Sequence, residues 1–326
     1  PLRTFLAYAR LRPVSRPLAK ALMDISASPR LRDVVEAHLE SEWELVDVLS
    51  LLHLEGYAVT RLLEAGLEQR EALARIVPPE DFRMYSVASA PDGGPGGVSD
   101  ELALTVAQLR YAGERGGELV GTASTYVNET AAGETFPIQV VRPSRFTLPR
   151  DPSRPIVMFA GGVGIAPFLG FVAQRGSDGS TGANWLFYAT ASRDRLYCES
   201  ELAAAVGRGE LSLRVAFSRA DGRLRGDAGG PLVETAGGPA RIGPAIASDP
   251  EARATLWALI EGGAFFYVCG RAGFAHSVMR ALTAVAEEFV GDREQARIVV
   301  RQLVADGRYM QDVFTSWTPH DGPGAL

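Results

Sequence analysis

Three hydrophobic rhythms divide this chain of 326 residues. Over residues 1–80 the apolar side chains return every three or four positions, at Leu18, Leu22 and Ile25, then at Val34, Val35, Leu39, Trp43 and Val46. That spacing lays one apolar stripe along a helix, so the region reads as helical and buried on one face. Pro29 separates the two runs, and Pro78-Pro79 closes the region, because the residue before a proline is driven out of helical geometry. From 83 to 146 the pattern shifts towards strands. Residues 102–107 and 138–141 are rich in β-forming side chains, and 91–97 is a Gly/Pro loop between strands. Beyond Pro149-Arg150-Asp151-Pro152, short unbroken apolar runs at 156–159, 185–188, 211–217 and 264–268 alternate with amphipathic stretches. Runs that are apolar throughout are buried on both faces, which predicts a parallel sheet with helices on both sides. Residues 220–244 interrupt this domain and read as a Gly-rich loop. No internal repeat is visible.

Composition narrows the chemistry. The length exceeds what one core usually holds and points to two domains. The hydrophobic share of 46% and charged share of 22% are those of a globular protein. A net charge of −6 and a pI of about 5.4 argue against a nucleic-acid binder that tracks phosphates. Lys20 is the only lysine, so a bound phosphate must rely on arginine, helix ends or backbone amides. Two cysteines, Cys198 and Cys269, are too few for a four-thiolate iron–sulfur cluster. The four histidines, His38, His53, His276 and His320, are scattered and suggest no metal site. No apolar run has the length of a membrane span and no signal peptide is visible, so a cytoplasmic enzyme is expected. The chain opens on Pro1 rather than Met and reads as a fragment or a processed product.

Five short segments carry candidate chemistry. In Gly161-Gly162-Val163-Gly164-Ile165-Ala166-Pro167-Phe168, a strand runs into a glycine turn and then a helix starting near Ala166. That geometry offers backbone amides and a helix N-terminus to a pyrophosphate, although a plain tight turn would read the same way. In Arg83-Met84-Tyr85-Ser86, an arginine suits a pyrophosphate, a tyrosine stacks on a flat ring and a serine offers a hydroxyl. Alone, this segment would pass for an edge strand with a surface arginine. Gly121-Thr122-Ala123-Ser124-Thr125-Tyr126 supplies a second serine. Tyr267-Val268-Cys269-Gly270 places a cysteine at the end of an apolar run, where a lone cysteine is more often a small core residue. The fifth segment is Gly307-Arg308-Tyr309-Met310-Gln311-Asp312-Val313-Phe314.

In this order the five segments resemble the FAD- and NAD(P)H-binding module of the ferredoxin–NADP reductase superfamily, closest to its diflavin branch. The resemblance implies a fold of α/β and β class. It would comprise a partial antiparallel FAD-binding barrel with a helical insertion, followed by a parallel-sheet NAD(P)-binding domain. The implied divisions are 1–80 (helical insertion), 81–150 (part of the barrel), 151–317 (coenzyme domain) and 318–326 (flexible tail). It makes Arg83, Tyr85, Ser86, Gly121, Ala123 and Ser124 FAD ligands, with Val106 and Ala107 as further candidates. Gly162, Gly164, Ile165 and Pro167 would line the coenzyme pyrophosphate. Ser218 and Arg219, joined by Arg241, would hold a 2′-phosphate, which favours NADPH over NADH. Ser86, Cys269 and Asp312 would form the catalytic cluster, and Phe314, or else Trp317, would cover the flavin. Tyr197 and Glu201 match a Tyr-x-x-x-Glu element of structural role.

The implied function is an FAD-dependent NAD(P)H reductase module passing electrons to a one-electron acceptor, such as a flavodoxin-like FMN domain, a haem or an iron–sulfur protein. Two alternatives stand beside it: an NAD(P)H oxidase or flavin reductase, and a non-catalytic docking module that has lost FAD. Several positions depart from the family pattern. Val163 stands where the family has threonine, Arg271 where it has an acid, and Gly243 where it has an aromatic residue. The family's first barrel strands precede the helical insertion and are not seen here, so preceding sequence is expected. No flavodoxin-like domain is visible either.

Overall fold

The computed structural model describes residues 14–37, 43–58, 83–90, 101–112 and 118–314. The described residues up to Met84 belong to one compact unit and those from Tyr85 to another.

The first unit is helical, with α1 (Arg16–Ser26), α2 (Pro29–Glu36) and α3 (Leu45–Leu54). Ser15 and Ser28 precede the first two helices, and each hydroxyl accepts from the backbone N–H three residues on, at Leu18 and Leu31. Each is followed within two residues by a proline whose fixed φ suits a first helical turn. Pro29 therefore opens a helix as well as separating two. Leu18, Leu22, Leu31, Val35, Val48 and Leu52 make the core. The expected stripe is only partly right, because Ile25 and Val46 are exposed and Trp43 precedes its helix. Leu39 and Pro78-Pro79 lie outside the described residues.

The second unit is built on a seven-stranded sheet. Its strands are β3 (Ile156–Gly161), β4 (Asn184–Thr190), β5 (Ser212–Phe217), β6 (Arg223–Gly226), β7 (Leu232–Thr235), β8 (Phe265–Arg271) and β9 (Tyr309–Phe314), in the order β7-β6-β5-β4-β3-β8-β9. The pairs from β5 to β9 are parallel. β3 and β5 are buried along nearly their whole length, as unbroken apolar runs require. On one face Val157, Phe159, Phe187 and Val268 pack under α7 (Ile242–Ala247), α8 (Pro250–Glu261), α9 (Ala272–Val290) and α10 (Arg293–Ala305). On the other, Met158, Ala160, Tyr188, Tyr267 and Cys269 pack under α5 (Ala166–Ser177) and α6 (Glu199–Gly207). The incoming chain is stapled to that second face. Phe146 stacks on Phe171 and meets Tyr267 edge-on, while the Tyr267 hydroxyl donates to Thr147 O at 2.8 Å.

Two strand-level expectations are corrected. The segment 220–244, expected as a loop, holds an antiparallel hairpin that adds β6 and β7 to the sheet, followed by the start of α7. Its glycines mark the turn, where Gly229 has φ 84° and the Gly230 N–H donates to Asp227 O. Conversely, 102–107 and 138–141 form no ladder among the described residues. The first makes a single bridge, Leu104 to Val87, and Ile138, Val140 and Val141 are exposed in irregular backbone. A β-forming side chain stabilises a strand only by packing on a neighbour, and no described strand lies beside these segments. Among the described residues, regular pairing before 150 is confined to a short hairpin, β1 (Arg110–Ala112) with β2 (Glu118–Val120), followed by α4 (Thr122–Glu129).

Candidate active site

The order of the strands reverses at β3: successive strands run outward through β4 and β5, and the chain then returns to place β8 on the other side of β3. In such sheets ligands bind in the crevice beyond the carboxyl ends of the strands at the reversal. That crevice lies at Gly161 and Cys269. After Gly161 the chain makes one 3-10 turn (Gly162–Ile165) and enters α5, which no side chain caps. Gly162 has φ 56°, and a Cβ built on it would meet nothing within 4 Å. Gly162 alone is thus left-handed, with open space on its Cβ side, as close approach of a phosphate requires. Gly164 is needed for the opposite reason: its Cβ would stand 2.2 Å from Cys269 O. Ile165 and Pro167 are buried, so they shape the turn from behind and do not present their side chains to the groove.

Ser86, Cys269 and Asp312, expected together, are brought together. Cys269 and Asp312 are register partners on β8 and β9, and Ser86 Oγ donates to Asp312 Oδ2 at 2.8 Å across 226 residues of sequence. The segment bearing Ser86 reaches this position because Gly170 of α5 lets the chain pass closely. A Cβ there would lie 3.1 Å from Ser89 O. Burial, reinforced by the nearby Asp312 charge, pushes the Cys269 thiol up to about 12. It is therefore protonated at neutral pH and cannot act as a thiolate nucleophile.

The residues expected to hold a 2′-phosphate lie near one strand end. Ser218 and Arg219 follow β5, and the Ala240 N–H donates to Phe217 O at 2.8 Å, which returns Arg241 to the same edge. All three are exposed, and the Arg219 and Arg241 guanidinium groups have no ion pair or side-chain hydrogen bond among the described residues. Arg271, in register with Phe314 at the ends of β8 and β9, is likewise exposed.

The remaining expected residues are more dispersed. Ser124 is buried; its hydroxyl accepts from Leu109 N at 3.0 Å and donates to Gly121 O at 3.1 Å, so it is occupied within the chain. Gly121 immediately precedes α4, a helix capped by no side chain, and Ala123 sits in its first turn. Val106 and Ala107 lie in irregular backbone, and Tyr85 is half-buried. Arg83 is exposed and falls in the first unit. Phe314 closes β9 and is partly exposed, while Trp317 and residues 318–326 lie outside the described residues.

Residues 158–280 match the family model described as the oxidoreductase NAD-binding domain. The sulfite reductase [NADPH] flavoprotein alpha-component of Vibrio cholerae is 33% identical over 255 residues, covering 77% of this chain and 37% of the relative. Its counterpart from Shewanella sp. (strain ANA-3) is 32% identical over 305 residues, covering 91% of the chain and 46% of the relative. A self-sufficient cytochrome P450 monooxygenase of Phanerodontia chrysosporium is 30% identical over 305 residues, covering 90% and 27%. The chain belongs to the ferredoxin–NADP reductase superfamily, on its diflavin branch. It spans less than half the length of these curated relatives.

One residue at the crevice escaped the reading of the sequence. Phe274, in the first turn of α9, lies against both glycines of the crevice: a Cβ on Gly161 would meet its ring at 3.0 Å and one on Gly270 at 2.9 Å. The signal was available, since an aromatic four residues after Gly270 on a new helix folds back over the strand end it leaves.

Proposed function

We propose that this chain is the reductase module of a diflavin-type electron-transfer flavoprotein, using FAD and NADPH and serving a one-electron acceptor such as an FMN domain, a haem or an iron–sulfur protein. The observation that carries the reading is the Ser86–Asp312 hydrogen bond beside Cys269, at the carboxyl ends of β8 and β9. The open left-handed Gly162 and the uncapped start of α5 suit a dinucleotide pyrophosphate. Arg219 and Arg241, unpaired among the described residues, suit a 2′-phosphate together with Ser218 and favour NADPH. For FAD the fit rests on Ser86, Tyr85 and the turn into α4 at Gly121. The divisions 1–80, 81–150 and 151–317 then correspond to helical insertion, flavin portion and coenzyme domain. Two free cysteines suit a reducing compartment, and we assign the protein to the cytoplasm.

FAD, when bound, supplies acceptance of two electrons from a reduced nicotinamide and their release one at a time. The chain's own part is positioning. The Ser86 hydroxyl holds the Asp312 carboxylate in one orientation beside Cys269. The neutral Cys269 thiol fills the crevice without adding charge, and Phe274 and the buried β3 and β8 strands keep water from its floor. The test is anaerobic stopped-flow reduction by NADPH, followed in the flavin absorbance bands. Cys269→Ala and Ser86→Ala should each slow reduction about tenfold or more, on the order of 1–2 kcal/mol of barrier. Unchanged rates in both variants would refute the assignment.

A further inference from the structure

We infer that the hairpin-extended part of the sheet encloses a second ligand site, one for a small organic anion with a carboxylate or phosphate head and a short apolar body. A cavity of about 240 Å³ lies between the sheet and the corner where α7 meets α8. Phe187, Ile242, Ile246 and Ala252 give it apolar walls, and these belong to the core on the face of the sheet opposite Cys269. Its polar floor is three arginines. Arg214 on β5 stands opposite Arg225 on β6, and Arg223 opposite Ala216, so alternation puts all three on one face.

Their partners are unequal. Every guanidinium nitrogen of Arg225 donates to Asp227 or Glu251. Arg214 is nine-tenths buried. Its terminal nitrogens donate to Asp227, Glu251 and backbone carbonyls, and it lies over the Trp185 ring at 5.2 Å. Among the described residues Arg223 reaches only Ser248 Oγ at 3.0 Å and Ala245 O at 3.4 Å, with no carboxylate on its guanidinium. Asp249 also lines the cavity, but its carboxylate caps α8 by accepting from Ala252 N. The Nε atoms of both Arg214 and Arg223 are buried without an acceptor among the described residues. Two buried N–H donors from adjacent strands are costly when left without an acceptor, and the half-buried Arg223 guanidinium leaves a positive charge at the cavity. The two oxygens of one carboxylate or phosphate would satisfy them, and the walls would take an aromatic or short aliphatic body. The arrangement depends on Gly237, whose Cβ would stand 2.6 Å from Arg223 Nε.

The inference is independent of the proposed reductase activity, and its test does not use turnover. The full chain is titrated by calorimetry with benzoate and with phenyl phosphate, up to about 10 mM. At least one should bind, and the tighter of the two identifies the head group. Arg223→Gln should weaken binding tenfold or more, and Gly237→Ala, which displaces the same guanidinium while keeping its charge, should do likewise. Circular dichroism checks that each variant is folded, and if Arg223→Gln is not, Gly237→Ala carries the test. Binding should survive Arg219→Ala and should not be displaced by adenosine 2′,5′-bisphosphate, which would compete at the exposed phosphate edge. Absence of binding by both probes, undiminished binding in the folded variants, or displacement by the bisphosphate would each overturn the inference.

Discussion

Residues 156–314 and residues 85–148 belong to one unit and contain stretches equally rich in β-forming side chains, yet they end in different states. In the first region every central strand has neighbours within the region, and its runs become a continuous ladder from β7 to β9. In the second, 102–107 contributes one bridge and 138–141 no ladder among the described residues. The contrast shows that β-propensity describes fit to a neighbouring surface and is not a property of the segment alone. The two regions nevertheless meet at the Ser86–Asp312 bond, so the candidate site joins the part of the molecule specified by dense burial to the part that is not.

If the parallel sheet is the stabilising region, truncation inside it should be the most costly change. Leu213 is fully buried near the start of β5. Leu213→Ala should cost about 3 kcal/mol in urea unfolding, as transfer and cavity effects combine. A cost under about 1 kcal/mol would mean the sheet is more loosely packed than its burial indicates. Gly164→Ala should cost about 2 kcal/mol, because the atom it would strike is the Cys269 carbonyl oxygen, a backbone atom that cannot rotate away. This substitution reaches the site as well as the fold. Displacing the Cys269 peptide disturbs its register with Asp312, so flavin reduction should fall along with stability.

How far each feature could be read from the sequence follows the same division. The central parallel strands and the glycine turn were legible because their signals are local: apolar runs buried on both faces, and a strand–glycine–helix order. The clustering of Ser86, Cys269 and Asp312 was legible only through family resemblance, since nothing local in Ser86 points to a partner 226 residues away. The hairpin at 223–235 was missed because its strands are four residues each and glycine-flanked, and its Arg-Leu-Arg-Gly alternation is too short to stand out. Ser124 illustrates a different limit. Its place in the Gly121 segment was readable, but its bonds to Leu109 and Gly121 depend on how the preceding chain folds back.

A smaller effect separates the thiol of the site from the rest of the sheet. The folded-state pKa of Cys269 lies above its ordinary value of 9.0, at about 12, so the neutral thiol favours the folded state. That contribution is complete below about pH 9 and declines as the pH rises towards 12, amounting to a loss on the order of 1 kcal/mol by pH 10. Cys198, also raised by burial, adds a slope of the same sign, so the informative quantity is the difference between the parent chain and Cys269→Ala. Urea unfolding near pH 8 and pH 10 should show a shallower loss in the variant. Tyr309, Tyr188 and Tyr267, all raised by burial from 10.0, begin to ionise in the unfolded chain near pH 10, but they contribute equally to both proteins and cancel in the difference. Equal slopes in the two proteins would place Cys269 in a wetter setting than its burial implies.

The smallest expected effect is also the most direct probe of the contrast. Val140 is 69% exposed in irregular backbone, although its composition matches that of a buried strand. Its side chain has little burial to lose, so Val140→Ala should change the stability of this chain by less than about 0.5 kcal/mol. The comparison with Leu213→Ala, measured identically, should therefore show a gap of roughly 2 kcal/mol or more between residues of similar hydrophobicity. A cost for Val140→Ala approaching that of Leu213→Ala would mean that 138–141 is packed in solution. The distinction between the two regions would then be one of degree. A negligible cost would leave neighbouring surface, and not β-propensity, as the deciding variable between them.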